Sequence, residues 1–243
     1  MNALTVLPGA DKNGGPEGFA SIELQMGELY AIVGNTGSGK TRFIKDVEQL
    51  VQADSPTGRT VLVDGKAPRK PQRRAFSGRL IAHVGQNMRF VLDASVGQFI
   101  DLHKACRASA VATSDVLGLA NRITPERIEI SNDLCALSGG QTRALMIADV
   151  ALVCNSPVVL VDEIENAGID KEAAFEALLD ARKLVLVVTH DVHTALLADT
   201  RIVMANGAVA CVRGRTSEEE RLEEQLHQAY KKTRALWSAL VFL

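Results

Sequence analysis

An α/β fold with a mostly parallel sheet is predicted by three features of the 243-residue sequence. Residues 29–33, 157–161 and 183–188 hold short runs that are apolar at nearly every position, as strands covered on both faces are. Helical periodicity follows the first run, with Phe43, Val47, Leu50 and Val51 sharing one face between about 41 and 52. From 87 to 137 the pattern changes to short helices, which reads as a helical subdomain inserted into the α/β core.

The remaining elements fall around that frame. Residues 4–7 and the alternation at 20–24 read as two strands joined by a loose, glycine-rich loop from Gly9 to Gly18, giving an N-terminal antiparallel β subdomain. Residues 60–63 make a further strand, ending in the turn Asp64-Gly65, and 80–84 another. The stretch between them carries Lys66, Arg69, Lys70, Arg73, Arg74 and Arg79 with no acid among them. Pro68 and Pro71 break any regular face there, so a solvated loop is expected rather than a docking patch for nucleic acid or an acidic partner. In the inserted segment, Ser95-x-x-Gln98 has the form of a capping box and 115–120 suggests a second helix. Asn206-Gly207 centres a closing hairpin over 201–212. From Ser217 a charged helix spaces Leu222, Leu226, Ala229, Thr233, Leu236 and Leu240 by alternating fours and threes. That stripe is expected to pack on its own domain, the alternative being a seam for self-association.

Composition excludes several classes. A formal charge of −2 lacks the basic excess of a dedicated nucleic-acid binder. Cys106, Cys135, Cys154 and Cys211 are widely separated with no C-x-x-C pair, so small buried hydrophobes in a reducing compartment are expected, not a metal cluster or disulfides. No apolar run approaches the roughly 18 residues of a membrane span, and no basic-then-apolar leader opens the chain. A cytoplasmic protein is expected.

Chemistry enters at Gly34-Asn35-Thr36-Gly37-Ser38-Gly39-Lys40-Thr41, which fits G-x-x-x-x-G-K-[ST] between an apolar strand and a helix. Glycines let the backbone turn its N–H groups inward on a phosphate; Lys40 reaches the β- and γ-phosphates and the Thr41 hydroxyl ligates Mg²⁺. A second signal is Asp162-Glu163, two carboxylates delivered to the carboxyl end of an apolar strand. Asp162 is placed to hold Mg²⁺, directly or through water, and Glu163 to orient or deprotonate an attacking water. The third is Leu137-Ser138-Gly139-Gly140-Gln141 at a helix start, an anion-binding terminus with no lysine of its own.

In that order and spacing these motifs resemble the ATP-binding cassette (ABC) ATPases, over residues 20 to 212. The resemblance implies a P-loop NTPase core spanning 1–215, with a helical subdomain at about 87–140 and a separate C-terminal helix at 216–243. It implies a Mg²⁺-dependent ATPase. Gln86 resembles the glutamine that senses γ-phosphate and Mg²⁺, His190 the switch histidine, and Asp170 the aspartate of the interface loop. Ser138, Gly139, Gly140 and Gln141 would close on the nucleotide of an opposite subunit, in an ATP-dependent homodimer or heterodimer of two cassettes. Two departures stand out. The family's proline and Ser-x-Leu-Asp loop are replaced by residues 164–170, and no aromatic upstream of Ile22 suits adenine stacking, Phe19 being expected in the core. The function implied is the ATP-hydrolysing subunit of an ABC transporter, bound to separate transmembrane permease subunits near Gln86, peripheral on the inner face of the plasma membrane, with no direct nucleic-acid partner. A soluble, non-transport cassette, for example in metallocofactor assembly or protein remodelling, is the alternative.

Overall fold

The computed structural model describes residues 1–69, 73–85, 88–162 and 168–241. Its centre is a six-stranded sheet in the order β5 (Ile81–Val84), β6 (Val158–Asp162), β7 (Leu184–Val188), β3 (Leu29–Val33), β8 (Thr200–Ala205) and β9 (Ala208–Gly214). All pairings are parallel except the β8–β9 hairpin, whose turn residues Asn206 and Gly207 both have positive φ (51° and 82°). Such a turn matches the natural twist of a hairpin.

Both faces of the sheet are covered, which is why its strands read as continuous apolar runs. On one face Ile32, Val158, Leu160, Leu186 and Ile202 pack against α1 (Lys40–Glu48) and a small antiparallel sheet in the order β2 (Ile22–Gln25), β1 (Ala3–Leu7), β4 (Thr60–Val63). On the other, Ala31, Val159, Val161, Val185 and Val187 pack against α3 (Val96–Arg107), α4 (Thr113–Ile123), α5 (Gly139–Leu152) and α6 (Lys171–Asp180). The inserted helices share this apolar core. Ser95 and Gln98 form the expected capping box at the start of α3.

Four expectations need correction. The basic stretch is not a loop throughout: after the prolines, α2 (Arg73–Leu80) forms, and Arg73 makes two bonds to Asp54 at 3.0 and 2.5 Å. The helix after the glycine-rich loop ends at 48, because Leu50 and Ala53 take positive φ. Among the cysteines only Cys154 is buried, while Cys106 and Cys135 are exposed. Finally, α8 (Ser217–Val241) leaves Leu222, Leu226 and Leu236 exposed; it packs on α7 (Val192–Leu197), and its Glu219 meets Arg201 of β8 at 2.6 Å.

The loop from Gly9 to Gly18 is tied down by a network with no counterpart in the motifs. Arg59 is fully buried and donates to Glu17 at 2.6 and 2.9 Å, to Asp46 of α1 at 3.1 Å and to the Gly207 carbonyl at 3.0 Å. Thr57 adds a bond to Asp46 at 2.8 Å. Burial alone would raise the Glu17 carboxyl; Arg59 and the Val209 and Gly9 amides hold it below the usual glutamate range. Its contribution to stability is therefore present above that range and lost as the pH falls through the depressed value. Arg59→Leu strands two buried carboxylates and is expected to cost about 3–5 kcal/mol at neutral pH, read from the urea midpoint. The cost should shrink in acid, where the stranded groups protonate; a variant as stable as wild type at pH 7 would show that the network is not what fastens these elements.

Candidate functional site

Register brings the site together before any side chain is considered. Ile32 of β3 and Asp162 of β6 both pair with Val188 of β7, and Val84 of β5 pairs with Val161. The carboxyl ends of four adjacent parallel strands therefore lie on one edge, where α/β folds bind ligands. That edge delivers the loop from Gly34 to Gly39, Asp162, and the segment Thr189-His190-Asp191. Gln86, two residues after β5, and Glu163, directly after β6, lie outside the described residues.

The loop is a backbone cradle. Gly34 (φ 148°) and Gly39 (φ 107°) sit where a side chain cannot: a Cβ would lie 2.3 Å from the Met204 carbonyl oxygen at the first and 2.9 Å from the Gly207 Cα at the second. Gly39 is also the N-cap of α1, so no side chain caps its first amides, which remain available to an anion. Lys40 is almost wholly buried and its ammonium is drawn over the loop, donating to the Gly34 carbonyl at 2.6 Å and the Asn35 carbonyl at 3.2 Å. Ser38 Oγ is buried without a hydrogen-bond partner among the described residues. Asn35, Thr36, Gly37 and Thr41 are exposed on the rim. The cradle thus fits a polyphosphate, and the all-oxygen pair of Thr41 and Asp162 suits a hard cation such as Mg²⁺.

His190 is exposed and lines a cleft of about 340 Å³ together with Val33, Gly34 and Asn35, so the structure places it beside the first half of the loop. Its neighbour Asp191 caps α7 through the Thr194 amide at 2.8 Å and pairs with Lys171 at 2.7 Å. Lys171 opens α6, and Asp170, the residue before it, caps that helix through the Ala173 amide at 3.2 Å. One ion pair therefore links the histidine segment to the Asp170 turn. Burial works against the Asp191 carboxylate, but Lys171 and the Thr194 amide and hydroxyl hold it down at about 2.

Ser138 to Gln141 occupy a different place. Ser138 is the N-cap of α5 and exchanges hydrogen bonds with Gln141 in a second capping box, at 3.2 and 2.9 Å. The Gln141 amide also reaches the Arg127 carbonyl at 3.0 Å, so its side chain is committed to the helix start. The Ser138 hydroxyl donates to Glu126 at 2.5 Å. Ser138 and Glu126, with Gly139, Gly140, Arg143 and Gly168, line an open cleft of about 650 Å³ that shares no lining residue with the His190 cleft among the described residues.

Three participants were not visible in the motifs. Lys12 reaches from the N-terminal loop to donate to the Gly37 carbonyl at 2.6 Å; Glu126 partners Ser138; and Lys171 joins the two turns. Each pairing is between residues at least 12 positions apart, with no repeating spacing to signal it. Only the acidic and serine caps, at Asp170, Asp191 and Ser138, follow a pattern that a sequence displays. Phe19 is half-buried against the core, as expected.

Comparison with known proteins places these features in a family. The profile described as ABC transporter matches residues 19–166. An uncharacterized ABC transporter ATP-binding protein of Methanocaldococcus jannaschii is 44% identical over 230 residues, covering 94% of this chain and 88% of that protein. Among solved structures, cbiO1 from Clostridium perfringens, part of an ABC transporter complex, superposes with a TM-score of 0.67 at 21% identity, over 99% of both chains. An ATP-binding cassette solved as a dimer in a post-hydrolysis state with ADP and Pi gives 0.61 at 23% identity, over 89% of this chain and 100% of that one. At these identities the two structures establish the fold.

Replacing Lys171 by methionine tests the linkage between the two turns. Because the folded Asp191 titrates at about 2 against an ordinary value near 3.8, its contribution is complete above pH 3.8 and disappears as pH falls through about 2. Lys171→Met should lose roughly 1–2 kcal/mol of stability at pH 7, and its acid-unfolding midpoint should move to higher pH. An unchanged acid profile would show that the pair carries no such energy.

Proposed function

The chain belongs to the ATP-binding cassette family as an ABC transporter ATP-binding subunit, and on that premise we propose that it hydrolyses ATP at two sites, each shared between two copies of the chain. The observation that carries this reading is the division of the functional groups. The phosphate cradle, Asp162 and His190 lie at one sheet edge, while the Ser138 helix tip opens a separate cleft. An anion-binding helix start without a lysine of its own makes chemical sense when it closes on a phosphate already held by a mate. The dimeric cassette among the structural neighbours is in keeping with such an arrangement.

In this reading the amides of Gly34 to Gly39 and the Lys40 ammonium hold the β- and γ-phosphates, and the mate's Ser138, Gly139 and Gly140 face the γ-phosphate from the other side. Glu163 orients the attacking water and accepts its proton, and His190 steadies the γ-phosphate from its place beside Gly34. Thr41, Asp162 and Gln86 would hold Mg²⁺, which when bound supplies positive charge against the phosphate oxygens. Asp170, with Lys171 and Asp191 behind it, lies at the interface and couples the state of the His190 segment to the dimer contact. Glu126 must release the Ser138 hydroxyl before that group can serve a phosphate, since a carboxylate beside a γ-phosphate is repelled.

ATP-driven closing and opening of the pair is the motion delivered to partner subunits. No helix among the described residues is long and apolar enough to cross a membrane. In this reading the translocation path belongs to separate transmembrane permease subunits, docked near Gln86, with this chain on the cytoplasmic face of the membrane. The complex that contains the neighbour cbiO1 is a parallel.

Glu163→Gln is the direct test. It should lower turnover by about 10²–10⁴-fold while leaving ATP binding intact, so that ATP with Mg²⁺ yields a stable dimer in light scattering. Persistent hydrolysis, or a monomer at saturating ATP, would remove Glu163 from its assigned role.

A further inference from the structure

Away from the nucleotide edge, three side chains from three helices converge. Glu172 is in the first turn of α6, His193 in α7 and His227 in α8. Glu172 Oε1 lies 3.3 Å from His193 Nε2 and within 2.5 Å of His227 Nδ1, and the candidate donor atoms are all within 4.8 Å of one another. His193 is more than nine-tenths buried, while Glu172 and His227 are half-buried. None of the three belongs to the machinery described above.

We propose that Glu172, His193 and His227 form a binding site for a zinc-class divalent transition-metal ion that fastens the C-terminal helix to α6 and α7. The donor set is the first argument. Two imidazole nitrogens and one carboxylate oxygen suit zinc, cobalt or nickel, whereas magnesium and calcium take oxygen ligands. Geometry is the second. With bonds of about 2.0–2.2 Å, tetrahedral ligands stand roughly 3.3 Å apart, which is the Glu172–His193 separation; the short Glu172–His227 contact has to open by less than an ångström, and the two imidazole nitrogens, within 4.8 Å of each other, to draw together. A three-ligand set also leaves a fourth position for water. The third argument is access. The carboxylate and His227 line a cavity of about 500 Å³ that also holds Glu176, Glu220 and Glu224, an acidic mouth that concentrates cations.

The location gives the site a consequence. Glu172 is two residues beyond Asp170, and His193 two beyond Asp191, so a bound ion would join α8 to both ends of the linkage that runs through Lys171. Attachment of the C-terminal helix is strengthened by metal occupancy. With Leu222, Leu226 and Leu236 exposed, that helix otherwise relies on contacts such as Glu172–His227, Arg201–Glu219 and its packing on α7.

The test uses the full chain, freed of metal by chelator and kept in excess MgCl₂, titrated with ZnCl₂ against a chromophoric indicator. One zinc per chain is expected, with affinity reduced at least tenfold in His227→Ala and in the near-isosteric Glu172→Gln. Zinc should raise the thermal midpoint and slow tryptic cleavage within α8 in the wild type but not in His227→Ala. Cobalt(II) in place of zinc should give visible ligand-field bands without a thiolate charge-transfer band, which separates this site from the exposed cysteines. Failure to take up zinc, uptake undiminished in both variants, displacement by Mg²⁺, or a sulfur-ligated cobalt spectrum would each overturn the proposal.

Discussion

The shape of the phosphate cradle depends on one buried cation. Arg59 sits in β4's approach, far in sequence from every motif, yet it binds the loop before β2 through Glu17, the first helix through Asp46 and the β8–β9 turn through the Gly207 carbonyl. Gly207 in turn donates its amide to the Ser38 carbonyl at 2.8 Å and abuts Gly39. The guanidinium also lies 5.2 Å over the Phe43 ring, closing the space beneath α1. Buried ion pairs are expensive to desolvate and give little net stability against an apolar alternative. Their value here is positional: a planar donor with five N–H groups fixes three segments at defined angles, which a hydrophobic contact would not.

From that anchor the chemistry divides between rigid and adjustable parts. The cradle, Asp162 and the β7 end are set by parallel register, so their mutual spacing is a property of the backbone. The turns that follow are set by caps and charges: Asp170 on α6, Asp191 on α7, and Lys171 between them. Ser138, spent on its capping box and on Glu126, belongs to the inserted side of the molecule. Such an arrangement can hold phosphates tightly at one edge while letting the opposing face arrive and leave, which is what an engine driven by ATP requires.

Much of this was legible in the sequence because its physics is local. Continuous apolar runs announced the parallel strands, Ser95-x-x-Gln98 announced its helix, and Asn206-Gly207 its hairpin, each through a spacing of a few residues. The helices α6 and α7 escaped because α6 has weak amphipathic contrast and α7 is only six residues long. The basic stretch looked like loop because prolines dominate its start, yet the helix begins just beyond them. The partners Lys12, Glu126, Arg59 and Lys171 were illegible for a different reason: each acts across a gap that only the fold closes. The leucine spacing of the last helix was real, but spacing identifies a face and not what covers it.

The claim on which the account rests is that one working site takes its lysine from one copy and its serine from another. Mixing two inactive variants tests it most directly: Lys40→Ala and Ser138→Arg, purified separately and combined in the presence of ATP. If the sites are shared, half of the mixed dimers' sites pair an intact cradle with an intact helix tip, and hydrolysis should return to up to about a quarter of the wild-type rate. If each chain supplies its own lysine and serine to its own site, every site in the mixture carries a defect and no activity returns, which would contradict the account.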